Sequence, residues 1–229
     1  ADLARSAKAQ GGRAVFIAPD EQAMRAITEA TSWFAPELQV IEFPAWDCLP
    51  YDRASPALSV SSKRLSALHQ LQHDGSNGQL LVTTINAALQ RVLTPFRIRE
   101  AVRELKPGTR IGHESLTALL RRQGYSRVDT VVDTGEFAVR GSIFDIFPSG
   151  LDEGLRLDFF DDELESLRLF DPSTQRTTRT VEGHLLLPAS EALLDDDTIK
   201  RFRTRYREMF AAHATQDPLY QAVSDGRRL

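Results

Sequence analysis

The sequence contains one cysteine, Cys48, in 229 residues. That excludes an intramolecular disulfide and any metal site built wholly from thiolates. A lone thiol suits a reducing compartment, so a cytoplasmic location is expected. No apolar run approaches the roughly 20 residues needed to cross a bilayer, and no membrane partner is expected. No Gly-Lys pair occurs, which removes the phosphate-cradling G-x-x-x-x-G-K-[ST] loop and ATP binding of that kind. The histidines (His69, His73, His113, His184, His213) are scattered and form no H-E-x-x-H. His69 and His73 stand four apart on a predicted helix but lack a third ligand nearby, so a solvated helix face is the better reading. No G-x-S-x-G elbow is present, and nothing sets a base beside Cys48. No catalytic residue, metal or cofactor is expected. The opening ADLARSAKAQGGR lacks the apolar core of a signal peptide and reads as the end of a helix, as if the chain began partway into a longer protein.

An excess of positive charge is also missing. The net charge is −4. Residues 1–102 carry ten Lys/Arg against ten Asp/Glu, and residues 188–229 seven of each. The deficit lies in 103–187, with eleven basic and fifteen acidic residues. A dedicated nucleic-acid domain ordinarily shows the opposite balance, although a local basic patch remains open.

What is present first is β-α alternation. RAVFIA (13–18), LQVIEF (38–43) and QLLVTT (79–84) are short apolar runs of the kind buried in parallel sheets. Between them come a helix capped by Asp20 and running to Phe34, a proline-rich loop FPAWDCLPYDRASP, and a helix over SSKRLSALHQL (61–71). A further helix is expected at INAALQRVL. After Phe96 the pattern changes to a short strand (RIREAV), a helix over 114–124, and strands at SRVDTVVD, GEFAVRGSIFDIFP, LRLDFF, ESLRLFD and HLLLP, with turn signals between them. After Pro188 a basic amphipathic helix follows, its aspartates at the N-terminal end, where the helix dipole favours them. The expected fold is α/β: a parallel-sheet domain (1–102 and 186–229) interrupted by an α+β, mainly antiparallel insertion (103–185).

RLDFFDDELESLRLFD (156–171) concentrates acidic residues. Asp161-Asp162-Glu163 as a metal site would need oxygens converging on one point; the triplet reads better as a hairpin tip. Strand alternation puts Leu155, Leu157 and Phe159 on a core face, and Arg156, Asp158 and Phe160 on the other. Upstream, Phe137 and Val139 alternate with Ala138 and Arg140. If the two strands are neighbours, Arg140 and Arg156 flank Asp158 and Phe160 on one surface. Arginine and exposed aromatics are enriched at binding hot spots, while an ordinary cross-strand salt-bridge face has the same pattern.

GEFAVRGSIFDIFP, LRLDFFDDELESLRLFDPSTQRT and LLLPA, with the upstream motifs in the same order, resemble the UvrB-homology region of the bacterial transcription-repair coupling factors (the Mfd family). The resemblance runs from about Arg13 to the C-terminus. It implies a UvrB-like fold, with a degenerate RecA/helicase-like domain and an inserted domain that docks on UvrA. It assigns the UvrA contacts to Arg140, Arg156, Asp158 and Phe160, with Arg127 in G-Y-S-R as a further position. Ala138 stands where UvrB has another arginine. RNA polymerase, DNA and ATP are expected to be engaged by parts of such proteins that this chain does not contain. A fragment of a UvrB-like helicase is the competing reading; the stretch before SSKRLSAL has no room for its long aromatic hairpin.

Overall fold

The computed structural model describes residues 12–49, 54–73 and 78–227, so the helix end read into the first residues lies outside it up to residue 11. Strands β1 (Arg13–Ala18), β2 (Gln39–Phe43) and β3 (Gln79–Thr84) form a parallel sheet in the order β1-β3-β2. Parallel neighbours need crossovers, supplied here by α1 (Glu21–Phe34) and α2 (Leu58–Gln70). Asp20 caps α1 as expected, accepting from the Ala23 N–H at 2.8 Å. Met24 and Ile27 of α1 pack with Ala18, Leu80 and Val82. Ala67, Leu68 and Leu71 pack with Ile41, Phe43 and Leu81 in a separate cluster. The class is therefore mixed α/β.

The next stretch departs from its expectation. RIREAV is not a strand but the body of helix α4 (Pro95–Ala101), which follows the short α3 (Ile85–Leu89). Thr94 accepts from the Arg97 N–H and Pro95 opens the first turn, so capping chemistry overrides the apolar alternation. The helix expected over INAALQRVL stops at Leu89, where Gln90 turns extended.

Beyond it, β4 (Arg103–Leu105) pairs antiparallel with β11 (His184–Leu186), so the chain enters and leaves the intervening sheet through adjacent strands. That sheet has six strands: β5 (Ser126–Arg127), β6 (Glu136–Arg140), β7 (Ile143–Ile146), β8 (Gly154–Phe160), β9 (Glu163–Phe170) and β10 (Thr177–Val181). Their order is β10-β9-β8-β7-β6-β5, antiparallel except for the β5–β6 pair. Helix α5 (His113–Arg122) contributes Leu116 and Leu120 to a core with Phe137, Phe144, Ile146, Leu155, Leu157 and Leu167. SRVDTVVD yields only the two residues of β5. Two of its valines serve a second, smaller cluster, where Val131 packs with Ala138, Phe147 and Phe170 and Val128 packs against the group, while Val132 is exposed. The Glu136 carboxylate accepts from the N–H groups of Val132 and Asp133, holding that segment as a loop. The chain ends in α6 (Asp196–Phe210), a 3-10 turn (Ala211–Gln216) and α7 (Pro218–Ser224).

Arg64 of α2 joins the parallel layer to the segment that follows β11. Its side chain is fully buried. Nε donates to Glu191 at 2.5 Å, and Nη1 donates to the Pro44 carbonyl (2.7 Å) and to Gln90 (2.9 Å). The guanidinium lies 4.2 Å from the Phe43 ring centroid and 5.0 Å from that of Trp46, whose Nε1 also donates to Glu191. Nearby, Ser149 donates to the Pro188 carbonyl at 2.7 Å, with the Ser62 hydroxyl 2.9 Å away. Removing one member of a buried pair leaves the other charge uncompensated, at a cost of about 3–5 kcal/mol. Arg64→Ala is accordingly expected to lower the unfolding free energy by about that amount in urea titrations; a loss below about 1 kcal/mol, the range of surface pairs, would remove this tie from the fold's supports.

His184, on β11, is mostly buried, its Nε2 has no hydrogen-bond partner among the described residues, and burial holds its pKa below the ordinary 6.5. The unfolded chain therefore takes up a proton near pH 6.5 that the folded one refuses, and stability falls as pH drops below that value. The fall in Tm between pH 7 and pH 5 should be smaller in His184→Leu than in the parent; equal slopes would refute the assignment.

Candidate functional site

The face of the six-stranded sheet opposite its main core carries the charged residues. Cross-strand pairs share a face, and two rows follow from the register. One runs Arg140–Ile143–Asp158–Ser166, the other Ala138–Asp145–Arg156–Arg168–Thr180. β6 and β8 are not neighbours, as the sequence had left open; β7 lies between them. What joins Arg140 to Arg156 is a residue that sequence reasoning missed, Asp145.

Asp145 is buried. Arg156 donates to it from Nε (2.6 Å) and Nη2 (2.9 Å), and Arg140 donates from Nη2 at 2.6 Å. Two hydrogen bonds in parallel are the fork geometry that a guanidinium offers and an ammonium cannot. The hydrogen bond with Asp145 raises the Arg156 pKa further, outweighing the effect of burial. The Arg156 guanidinium also lies 4.8 Å from the Phe170 ring centroid.

Arg156 and Arg168 face each other across β8 and β9, a like-charge pairing that opposes the sheet unless each finds an anion. Arg168 resolves this by donating to Asp158 at 2.8 Å. The outcome is an alternating set, Arg140–Asp145–Arg156 beside Asp158–Arg168. Its accessibility is graded: the side chains are 53% exposed for Arg140, 34% for Arg168, 32% for Asp158 and 17% for Arg156. At the turn end of β8, on the same side by alternation, Phe160 is 72% exposed. It is a large apolar side chain held out to solvent beside a charge lattice. At the other end the small cluster around Phe170 closes the face, and Phe170 lies directly over Gly154, where an added Cβ would come within 2.2 Å of the ring.

Four of the five positions picked from sequence thus lie on one side, with Arg140 and Arg156 gathered on Asp145, Asp158 in the adjoining row, and Phe160 beyond. Arg127 does not join them. Its register partner is Phe137, a core-face residue, and it sits exposed at the β5 edge. Arg168 and Ile143 belong to the face and were not anticipated.

The acidic triplet is spread over a hairpin end. Asp161 takes a left-handed φ of 55° in the turn, while Glu163 is already in β9, where Arg110 donates to it at 2.8 Å. Among the described residues no group of three or more His, Cys, Asp or Glu is arranged to hold a metal ion. His69 and His73 meet edge-on at 4.9 Å between ring centroids. Among the described residues no helix is long and apolar enough to cross a membrane.

Comparison with known proteins bears on this face. Residues 104–191 match the family model described as the UvrB interaction domain, a stretch that opens within β4 and ends on Glu191. The transcription-repair-coupling factor of Escherichia coli (strain K12) is 38% identical over 224 residues, covering 98% of this chain. This chain belongs with the transcription-repair-coupling factors. Those of Haemophilus influenzae and Myxococcus xanthus are 37% and 36% identical, over 93% and 90% of the chain. The match covers only 19%, 18% and 18% of these three relatives' own lengths.

Asp145→Ala would leave two arginines, one of them largely buried, without their anion. It should cost about 3–5 kcal/mol of unfolding free energy. Asp158→Ala, whose partner is a third exposed, should cost about 1 kcal/mol or less. Denaturant titration of both variants gives the comparison, and equal losses would show that the lattice is not organised around Asp145.

Proposed function

We propose that this chain is a non-catalytic docking module of a transcription-repair coupling factor, and that the Arg/Asp/Phe face recruits UvrA to the repair of DNA at stalled transcription. The parallel layer is read as a degenerate helicase-like domain, and residues 103–185 as the docking insertion. The observation that carries the reading is the pairing of an outward phenylalanine, Phe160, with a charge lattice whose arginines are already oriented. Apolar anchors surrounded by organised polar groups are the usual form of a protein-docking hot spot. The family match over 104–191 supports placing the docking in the inserted sheet. RNA polymerase, DNA and ATP are engaged, on this reading, by other parts of the longer relatives.

The charges choose the partner and its orientation, while Phe160 supplies apolar area at the hairpin end of the face. Because Asp145 and Asp158 already hold the arginines, a partner carboxylate gains a preordered guanidinium and forfeits little side-chain entropy. Arg140, the most exposed member, is the natural point of entry. Arg156 is chiefly a holder of Asp145, so its loss confounds binding with stability.

Titration of the purified chain with purified UvrA, followed by calorimetry or light scattering, tests the reading. Phe160→Ala should weaken binding by about 30-fold or more, the scale of a hot-spot truncation of about 2 kcal/mol. Arg140→Gln should weaken it by roughly tenfold, with a shallower salt dependence. No detectable association, or an unchanged affinity in a folded Phe160→Ala/Arg140→Gln variant, would overturn the assignment of this face.

A further inference from the structure

Helix α6 has five cations in eight residues: Lys200, Arg201, Arg203, Arg205 and Arg207. All five are exposed, and among the described residues none forms an ion pair with a carboxylate. Arg201 donates to Thr198, Arg207 to the Arg203 carbonyl, and Arg203 to the Tyr220 hydroxyl, whose pKa it lowers. The helix is anchored by Arg97, which binds Asp195 and Thr198 at its first turn, and by α7.

The helix dipole does not account for this concentration. It rewards cations in the last turn, and only Arg207 lies there; Lys200, Arg201 and Arg203 stand in the first half. Arg201–Arg205 and Arg203–Arg207 are like charges four residues apart, which oppose helix formation. Asp196 and Asp197, four residues before Lys200 and Arg201, offset part of this repulsion in the first half, and an anion brought to the face would relieve the remainder.

Its geometry narrows the choice of anion. At 100° per residue, Lys200, Arg203 and Arg207 make one row and Arg201 and Arg205 another, with Asp197, Thr204 and Glu208 between them. Phe202 and Tyr206 face neither row, because they stack on Tyr220 of α7 at 6.2 and 5.7 Å between centroids. The aromatics needed to stack on unpaired bases are thus occupied, and the free side offers two parallel rows of cations, with the exposed Asp197 and Glu208 in the strip between them. A helix of about 10–12 Å diameter with a cationic row on each flank fits over a duplex groove about 12 Å wide, one row reaching each strand.

We propose that this face of α6 binds the phosphate backbone of duplex nucleic acid without reading its sequence, at a surface separate from the Arg/Asp/Phe face. Acidic proteins are the alternative ligand, and the test separates them. The 229-residue chain is titrated into a fluorescein-labelled 25-base-pair DNA of arbitrary sequence, with anisotropy read between 50 and 200 mM salt. Log affinity should fall linearly with log salt, by about 0.9 for each phosphate contacted. Lys200→Gln/Arg201→Gln/Arg205→Gln leaves the contacts to Tyr220 untouched, and its fold is checked by circular dichroism. This variant should bind at least tenfold more weakly at 50 mM salt and lose about 2–3 units of that slope. Arg179→Gln, an exposed change on β10, should leave both unchanged. Two unrelated duplexes should bind equally. The proposal fails if the parent shows no binding at 50 mM salt, if the triple variant binds like the parent, or if polyglutamate competes as well as duplex at matched charge, which would assign the face to acidic proteins.

Discussion

The buried guanidinium of Arg64 is the constraint to which the rest of the molecule answers. It meets the loop after β2 through Pro44 and Trp46, the end of α3 through Gln90, and the chain returning from the six-stranded sheet through Glu191. A charge taken out of water costs several kcal/mol unless every donor is matched, and here three sequence-distant segments must arrive together to match them. The two short neck strands, three residues each, bring the chain ends side by side but offer few bonds to resist bending. The Arg64 cluster and the Ser62–Ser149 contact supply a second fastening besides the neck. The sheet is therefore held to the parallel layer at two places, which fixes the direction its charged face presents.

The strands with strict alternation were legible before any coordinates. In β8 the apolar positions Leu155, Leu157 and Phe159 are buried, and Phe160 is exposed, as period 2 requires. The same rule carried one strand further would have found Asp145, since in Ile143–Ile146 the aspartate alternates with two buried apolar residues. Its role is invisible within its own strand, because the arginines that hold it come from β6 and β8 across the sheet. Elsewhere local chemistry defeated pattern. Thr94-Pro95 starts a helix that the alternation of RIREAV concealed. Val128 and Val131 of SRVDTVVD are apolar because they close a small cluster from a loop. β10 (TTRTV) gave no signal at all: it is an edge strand, four of its five residues are exposed, and none needed to be apolar to pair with β9.

The acidic segment shows how composition can mislead about chemistry. Glu163 belongs to a strand and answers Arg110, while Asp161 is suited to a left-handed turn. The carboxylates with consequences are Asp145, isolated in sequence, and Asp158, at the edge of the acidic run, each engaged by an arginine from another strand. Charge density along the chain and charge organisation in space are different quantities, and only the second can orient a partner. The match to the UvrB interaction domain fits this division, because residues 104–191 contain the organised charges and leave out the basic helix α6.

The Asp145 lattice also guards the assembly of the sheet. Slipping β7 by one residue against either neighbour would swing the aspartate into the apolar core and turn Phe144 and Ile146 out to water. Arg140 and Arg156, arriving from both sides of β7, accept only the register in which that carboxylate faces them. The face proposed for docking would thus also be a proofreading device for the sheet's own pairing. Substitution in the buried half of this face is constrained by the fold itself, so on the proposed docking role any drift in binding preference should be confined to its outer members, Arg140, Arg168 and Phe160.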